Sequence, residues 1–172
     1  EVLVEELPTH TDYGVVSGPT FASEVARGLP TAMTVAATSQ LLAKDIAAAF
    51  QGNNYRTYFS DDIIGVEIGG AVKNVLAIAA GISDGLGYGA NARVALITRG
   101  LAEMMRLGVK LGAQAETLMG LAGMGDLVLT CTDNQSRNRR LGLALGQGQE
   151  REAAIAEIGQ AVEGAKSALS IG

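Results

Sequence analysis

Between Ile63 and Ile82 the chain is apolar or glycine at almost every position, and its two charges there are Glu67 and Lys73. A helix apolar on every side belongs in a protein interior, where lysine is almost never found without a partner. Glu67 is poorly placed to be that partner, because six residues at ~100° each set it about 240° around the helix. One turn before Lys73 stand Gly69 and Gly70, and a helical side chain leans toward the N-terminus. The ammonium therefore lies over bare backbone that another group can approach. Such a lysine can serve as a general acid or base. A core lysine whose head snorkels to the surface has the same composition, and the helix alone does not separate the two.

Other stretches offer chemistry to go with it. Gly123-Met-Gly-Asp126 places a carboxylate just after two glycines, able to partner the ammonium or orient a substrate hydroxyl, or simply to cap a turn. Asp133-Asn-Gln-Ser-Arg-Asn-Arg-Arg140 sets Ser136, Arg137 and Asn138 at a predicted helix start. Hydroxyl, guanidinium, amide and free N–H groups together suit a phosphate; Arg139 and Arg140 either add to the local field or are solvated. Ser17-Gly-Pro-Thr-Phe-Ala22 reads as a strand end opening a helix, the edge where α/β sheets bind ligands, or else an ordinary turn. Gly85-Leu-Gly-Tyr-Gly-Ala90 fits the dinucleotide fingerprint G-x-G-x-x-A but follows a helix instead of a strand, so it reads as a link. His10 has no partner nearby and reads as non-catalytic. Cys131 reads as packing, not as a nucleophile, and no metal-ligand spacing is present.

The elements that must position these groups fall into two sets. Tyr13–Ser17, Thr31–Thr38 and Arg56–Ser60 read as strands, alternating with helices at 21–27, with Thr20 as its cap, and after Ser39 to Phe50. That order predicts an α/β layer with a largely parallel sheet. From Asp61 on, helical patterns dominate: 63–81, Asn91–Leu111 with Leu96, Ile97, Leu101, Met104, Met105 and Leu107 on one face, then 114–121, 136–145, 150–158 and a start at Glu163. The predicted organisation is residues 1–60 as the end of an α/β domain and 61–172 as a helical, incomplete substrate domain. Three strands are few for such a sheet, and the chain opens on Glu1 and stops at Gly172, so both ends are expected to be cut.

Composition narrows the function classes. A hydrophobic fraction of 48% with 18% charged residues suits a buried core, and a net charge of −5 argues against a broad nucleic-acid surface. A bilayer span at Ile63–Ile82 is rejected, since Glu67 and Lys73 would each cost roughly 2.5–3.5 kcal/mol near the membrane centre. One cysteine and no signal-peptide pattern lead us to expect a reducing, cytoplasmic setting.

Five segments carry a resemblance: Val16-Ser-Gly-Pro-Thr-Phe-Ala22, Gly69-Gly-Ala-Val-Lys-Asn74, Gly89-Ala-Asn-Ala-Arg93, Gly123-Met-Gly-Asp-Leu-Val-Leu-Thr-Cys-Thr132 and Asn134-Gln-Ser-Arg-Asn-Arg139. Together, and in this order, they closely resemble bacterial NAD(P)-dependent glycerol-3-phosphate dehydrogenases. The resemblance implies a Rossmann-type remnant followed by a mostly helical substrate domain. It implies reversible hydride transfer between NAD(P)H and dihydroxyacetone phosphate, giving sn-glycerol 3-phosphate for phospholipid synthesis. By motif, Lys73 corresponds to the catalytic general acid/base, with Asn74 and Asp126 orienting it and the substrate. Ser136, Arg137 and Asn138 match the substrate segment, Arg137 and Asn138 on the phosphate and Arg137 also toward the cofactor. Gly18 and Thr20 match substrate contacts; Ala22, Ala161 and Glu163 match cofactor contacts.

The family also carries an N-terminal G-x-G-x-x-G half and a further lysine, and neither is in this sequence. The isolated chain is therefore expected to bind NAD(P)H weakly and turn over little. Two alternatives remain at this point: a related hydroxyacid-type dehydrogenase, resembling ketopantoate or 6-phosphogluconate enzymes, or a non-catalytic domain that self-associates, for example as a homodimer, through exposed apolar helix faces.

Overall fold

A computed structural model describes residues 5–6, 8, 11–52, 54–165 and 167. His10 and most of the first six residues lie outside them. The amino-terminal part is a three-stranded sheet in the order β1 (Gly14–Ser17), β2 (Thr31–Ala37), β3 (Tyr55–Ser60). Helices α1 (Ala22–Ala26) and α2 (Gln40–Phe50) connect the strands. Ser39 caps α2 as the sequence indicates, its hydroxyl accepting from the Leu42 N–H at 3.3 Å. Thr20 does not cap α1: Phe21 holds the cap position, and the Thr20 hydroxyl donates to the Gly18 carbonyl at 3.2 Å.

The largely parallel sheet is half right. β2 and β3 run parallel, but β1 pairs antiparallel with β2, Gly14 opposite Ala37 and Ser17 opposite Thr34. The order of strands and helices in a sequence says nothing about the direction in which the first strand enters. β2 is the central strand and is buried over its last five residues. Met33, Val35 and Ala37 pack on Ala43 and Ala47 of α2, while Ala36 packs on the opposite side against Val66 and Ala122. The period of two along the strand thus joins α2 to one face and the helical part to the other.

The helical part is built on α3 (Ile63–Gly85), which is long and apolar enough to cross a bilayer by composition. Here it packs instead against α4 (Gly89–Lys110), α6 (Asp126–Thr132) and, most extensively, α7 (Arg137–Gly146). A short α5 (Ala115–Met119) and a π-helical turn (Leu121–Gly125) lead into α6, and α8 (Arg151–Ile158) packs on α7. Asp62 starts α3: one carboxylate oxygen accepts from Gly65 N–H and the other from Gln114 N–H, each at 2.8 Å. The glycine-rich stretch after α3 shrinks to Leu86–Tyr88 between two helices, with Gly87 and Gly89 at φ +79° and +81°. Its position between helices removes the dinucleotide reading of 85–90. On α4, Ile97 and Met104 are buried and Leu96, Leu101 and Met105 pack beside them, whereas Leu107 of the predicted face stays exposed.

Cys131 is fully buried in the main core with Leu127, Met104 and Leu118. Burial pushes its thiol from an ordinary 9.0 up to about 12, the nearby Arg139 guanidinium pulling the other way. This bears out packing and makes a nucleophilic role untenable at neutral pH. The linkage has a definite sign. Below about pH 9 both folded and unfolded chains hold the proton. Between there and about 12 the unfolded chain sheds it first, so stability falls as pH rises, by about 1.4 kcal/mol per pH unit for one proton. Urea unfolding at pH 8 and pH 10 should show a loss in the wild type that Cys131→Ala lacks; parallel losses in both would refute this.

Candidate active site

Lys73 and Asp126 meet as an ion pair, the Lys73 Nζ donating to Asp126 Oδ2. The aspartate side chain is 4% exposed and the lysine 20%, so the carboxylate is interior and the ammonium opens outward. The bare backbone inferred above Gly69 and Gly70 is where this is arranged. A Cβ on Gly69 would sit 2.4 Å from the Ala122 carbonyl oxygen, so the π-helical turn lies directly on α3 there. Gly123 is equally closed, since its Cβ would stand 1.9 Å from the Leu118 carbonyl oxygen. Gly69 thus lets the turn lie against α3, Gly123 lets it fold tightly on the end of α5, and together they deliver Asp126, at the head of α6, beside the lysine one turn further on. Glu67, as expected, plays no part and is exposed.

The Thr130 hydroxyl donates to the Asp126 main-chain oxygen at 2.6 Å and stands 3.2 Å from Oδ1. Ser17 donates to Oδ2 at 3.2 Å across 109 residues. Thr130 was open to detection, being four residues after Asp126 on one helix. Ser17 was not, because its approach depends on the antiparallel entry of β1.

Asn74 and Asn138 form a second polar chain. Asn138 Nδ2 donates to Asn74 Oδ1 at 2.9 Å, and Asn138 Oδ1 accepts from Gly164 N–H at 2.9 Å. The backbone donor at Gly164 fixes which end of the Asn138 amide is oxygen. Asn74 Nδ2 donates to Gly70 O and to Glu163 Oε2, both at 3.2 Å. Gly164 is needed there, as its Cβ would fall 2.7 Å from both Asn138 Oδ1 and the Asn74 carbonyl oxygen.

Ser136 caps α7, accepting from Arg139 N–H at 3.2 Å. The N–H groups of Arg137 and Asn138 at this end have no earlier turn to bond within the helix. Arg139 is neither solvated nor part of the site's field. Its guanidinium is buried, paired with Asp84 of α3 and bonded to the Cys131 carbonyl at 3.1 Å and to Asn134 Oδ1. Asp84 also takes Arg93 of α4 at 2.7 Å. Arg140 is exposed. Arg137 has no ion-pair partner among the described residues.

One open cavity of about 700 Å³ gathers these groups. Gly18, Thr20, Ala22, Lys73, Asn74, Asp126, Ser136, Arg137, Asn138 and Glu163 all line it, ten of the eleven residues singled out from the sequence. Ala161 does not; it is exposed outside the cavity while its neighbour Gln160 turns in. Phe21, Ser23, Thr130 and Gln135 complete the lining and carried no signal as ligands in the sequence. Among the described residues there is no cluster of His, Cys, Asp and Glu able to hold a metal. Chemically the cavity offers an ammonium backed by a carboxylate at one point, and a free guanidinium with a helix N-terminus at another.

Residues 62–171 match the model of the NAD-dependent glycerol-3-phosphate dehydrogenase C-terminus, and residues 1–43 that of its N-terminus. The glycerol-3-phosphate dehydrogenase (NAD(P)+) of Thioalkalivibrio sulfidiphilus is 67% identical over 168 residues, covering 98% of this chain and 50% of its own length. That of Nitrosococcus oceani is 64% identical over 168 residues, covering 98% and 49%. The crystal structure of glycerol-3-phosphate dehydrogenase from Coxiella burnetii superposes with a TM-score of 0.94 at 56% identity, over 96% of this chain and 51% of that one. The Saccharomyces cerevisiae enzyme gives a TM-score of 0.83 at 30% identity, over 95% and 49%. The chain spans about half the length of the curated relatives it matches. Its architecture, an α/β remnant of Rossmann type leading into a mostly helical part, is theirs as well. With family models matching in both parts and such identity along nearly all its length, the chain belongs to the NAD-dependent glycerol-3-phosphate dehydrogenase family.

Proposed function

We propose that this chain carries the substrate half of a glycerol-3-phosphate dehydrogenase active site. In this reading residues 1–60 end a dinucleotide-binding domain and 61–172 form the substrate domain. The observation that carries it is the shared cavity: Lys73 with Asp126, and Arg137 with Asn138 at the start of α7. Arg137, the Asn138 amide and the free N–H groups of α7 hold the phosphate of dihydroxyacetone phosphate. Gly18 and Thr20 face the substrate from the strand edge, and Asn74 keeps the Asn138 amide oriented. Lys73 donates its proton to the carbonyl oxygen as that oxygen gains negative charge, and in the reverse direction takes the hydroxyl proton. Asp126 holds the ammonium at the cavity wall and balances its charge.

The lining also fits a nicotinamide dinucleotide beside the substrate. Ala22 presents a small surface, Glu163 is fixed by Asn74 and can accept a hydroxyl, and Arg137 lies within reach of a second anionic group. When bound, NAD(P)H supplies the hydride chemistry. The Arg137 pocket favours a phosphorylated substrate over a simple hydroxyacid, which sets this reading above the hydroxyacid-dehydrogenase alternative. Self-association, the other alternative, would use the exposed Val94, Val109 and Leu111 of α4 and the turn after it. The setting proposed is the cytoplasm, where Cys131 stays a thiol.

Calorimetric titration of the chain with glycerol 3-phosphate and with glycerol tests the assignment. Glycerol 3-phosphate should bind and glycerol should not, and Arg137→Ala should weaken binding roughly tenfold or more, the value of a charge-assisted bond. Equal binding of glycerol, or an unaffected Arg137→Ala, would overturn it. With NADH and dihydroxyacetone phosphate added, the 172-residue chain is expected to show little or no turnover.

A further inference from the structure

Asp126 Oδ2 receives two donors, the Lys73 ammonium and the Ser17 hydroxyl at 3.2 Å. The other oxygen is less well served. Thr130 has one hydroxyl proton, and its 2.6 Å contact with the Asp126 main-chain oxygen is far shorter than the 3.2 Å contact with Oδ1. The shorter contact takes the proton. Among the described residues, Ser17 is therefore the one uncharged side chain that commits its proton to this carboxylate. It does so from a fixed position, the last residue of β1, paired with Thr34 of the central strand. Asp126 is itself held in place by its start on α6 and its burial.

We propose that Ser17 is a positioning residue for Lys73: by sharing Oδ2 it lightens the charge that Asp126 presents to the ammonium, leaving Lys73 readier to give its proton to an oxygen in the cavity. A hydrogen bond to a carboxylate stabilises the charge and weakens its hold on a neighbouring cation. The charged groups facing Lys73 are few. Asp126 comes from α6, Arg137 from α7, and Glu163 from the helical stretch that begins beyond α8, tied to Asn74. The β1–α1 side contributes Gly18, Thr20 and Ala22, none of them charged. Ser17 is thus the neutral group able to tune the pair without adding charge. The inference rests on the proton-donor role given to Lys73 above.

The chain has four lysines, so Lys73 can be followed directly. Competitive acetylation by acetic anhydride at pH 8, read by mass spectrometry with Lys44 and Lys110 as internal references, reports the fraction of free amine. Ser17→Ala should acetylate Lys73 roughly threefold to tenfold more slowly than wild type. The rate follows the fraction of free amine, which falls when a carboxylate that has lost its second donor holds the ammonium more tightly. Ser17→Thr, which keeps the hydroxyl, should restore the wild-type rate. An equal or faster rate in Ser17→Ala would overturn the proposal. Should Ser17→Ala fail to fold, Ser17→Cys, a weak donor of similar size, must show the same slowing. A separate arm adds glycerol 3-phosphate to wild type: protection of Lys73 supports the substrate assignment and its absence counts against that assignment, while the Ser17 comparison stands on its own.

Discussion

Lys73→Ala, placed in a full-length enzyme of this family that carries this site, is expected to lower kcat by roughly 10²–10⁴-fold, the usual worth of a positioned general acid. The same change has a second consequence. Asp126 is 4% exposed, and without Lys73 it is a buried carboxylate with Ser17 as its remaining side-chain donor. Breaking a buried pair costs about 3–5 kcal/mol; because Lys73 opens onto the cavity, about 2–3 kcal/mol is the fairer expectation here. Lys73→Met combined with Asp126→Asn separates the two effects. The double variant should regain most of the stability and none of the turnover. A kcat within about tenfold of wild type in Lys73→Ala would remove the lysine from the mechanism.

Gly142→Ala should strongly destabilise the packing of α3 on α7. The backbones of α3 and α7 touch: a Cβ on Gly142 would stand 2.0 Å from the Ile78 carbonyl oxygen, and one on Gly81 2.2 Å from that of Arg139. Gly85 and Gly146 repeat the contact one turn on, at 2.5 Å from the Leu143 and Ile82 oxygens. None of these neighbours is a flexible side-chain tip that can swing away. Overpacking typically costs about 1–3 kcal/mol, and a collision with backbone puts Gly142→Ala at about 3 kcal/mol or above. Retreat of α7 would also draw Asn138 from Asn74 and Arg139 from Asp84. Glycerol 3-phosphate affinity should therefore fall together with the urea midpoint. An unchanged midpoint would show that the crossing is looser than these distances require.

The two parts of the chain were legible to different depths. The existence and order of the elements followed from periodicity, because a strand and a helix bury side chains at different spacings. The helix cap at Ser39 was readable, a serine opening an apolar run, and the cap at Thr20 was misread, since its hydroxyl turns back to Gly18. The direction of β1 was not readable, since periodicity is the same in both directions. Arg139 was misjudged for a similar reason. A run of Arg137, Arg139 and Arg140 looks alike in sequence, but the turn of α7 sends one to the cavity, one into the core beside Asp84 and one to solvent.

By itself the sequence determined that Lys73 was anomalous, that Asp126 and Ser136–Asn138 were suited to its chemistry, and that two glycines before it left room for a neighbour. Those conclusions need only local rules: helical spacing, the cost of burying a charge and the donors available at a helix start. Only the tertiary structure decided what fills that room. The π-helical turn seats on Gly69 and brings Asp126 to Lys73, Ser17 arrives from β1 onto the same carboxylate oxygen, and Gly164 fixes the Asn138 amide. These contacts join residues 26 to 109 positions apart, and such separations are set by how the backbones of α3, α6 and α7 close on one another, which no local pattern encodes.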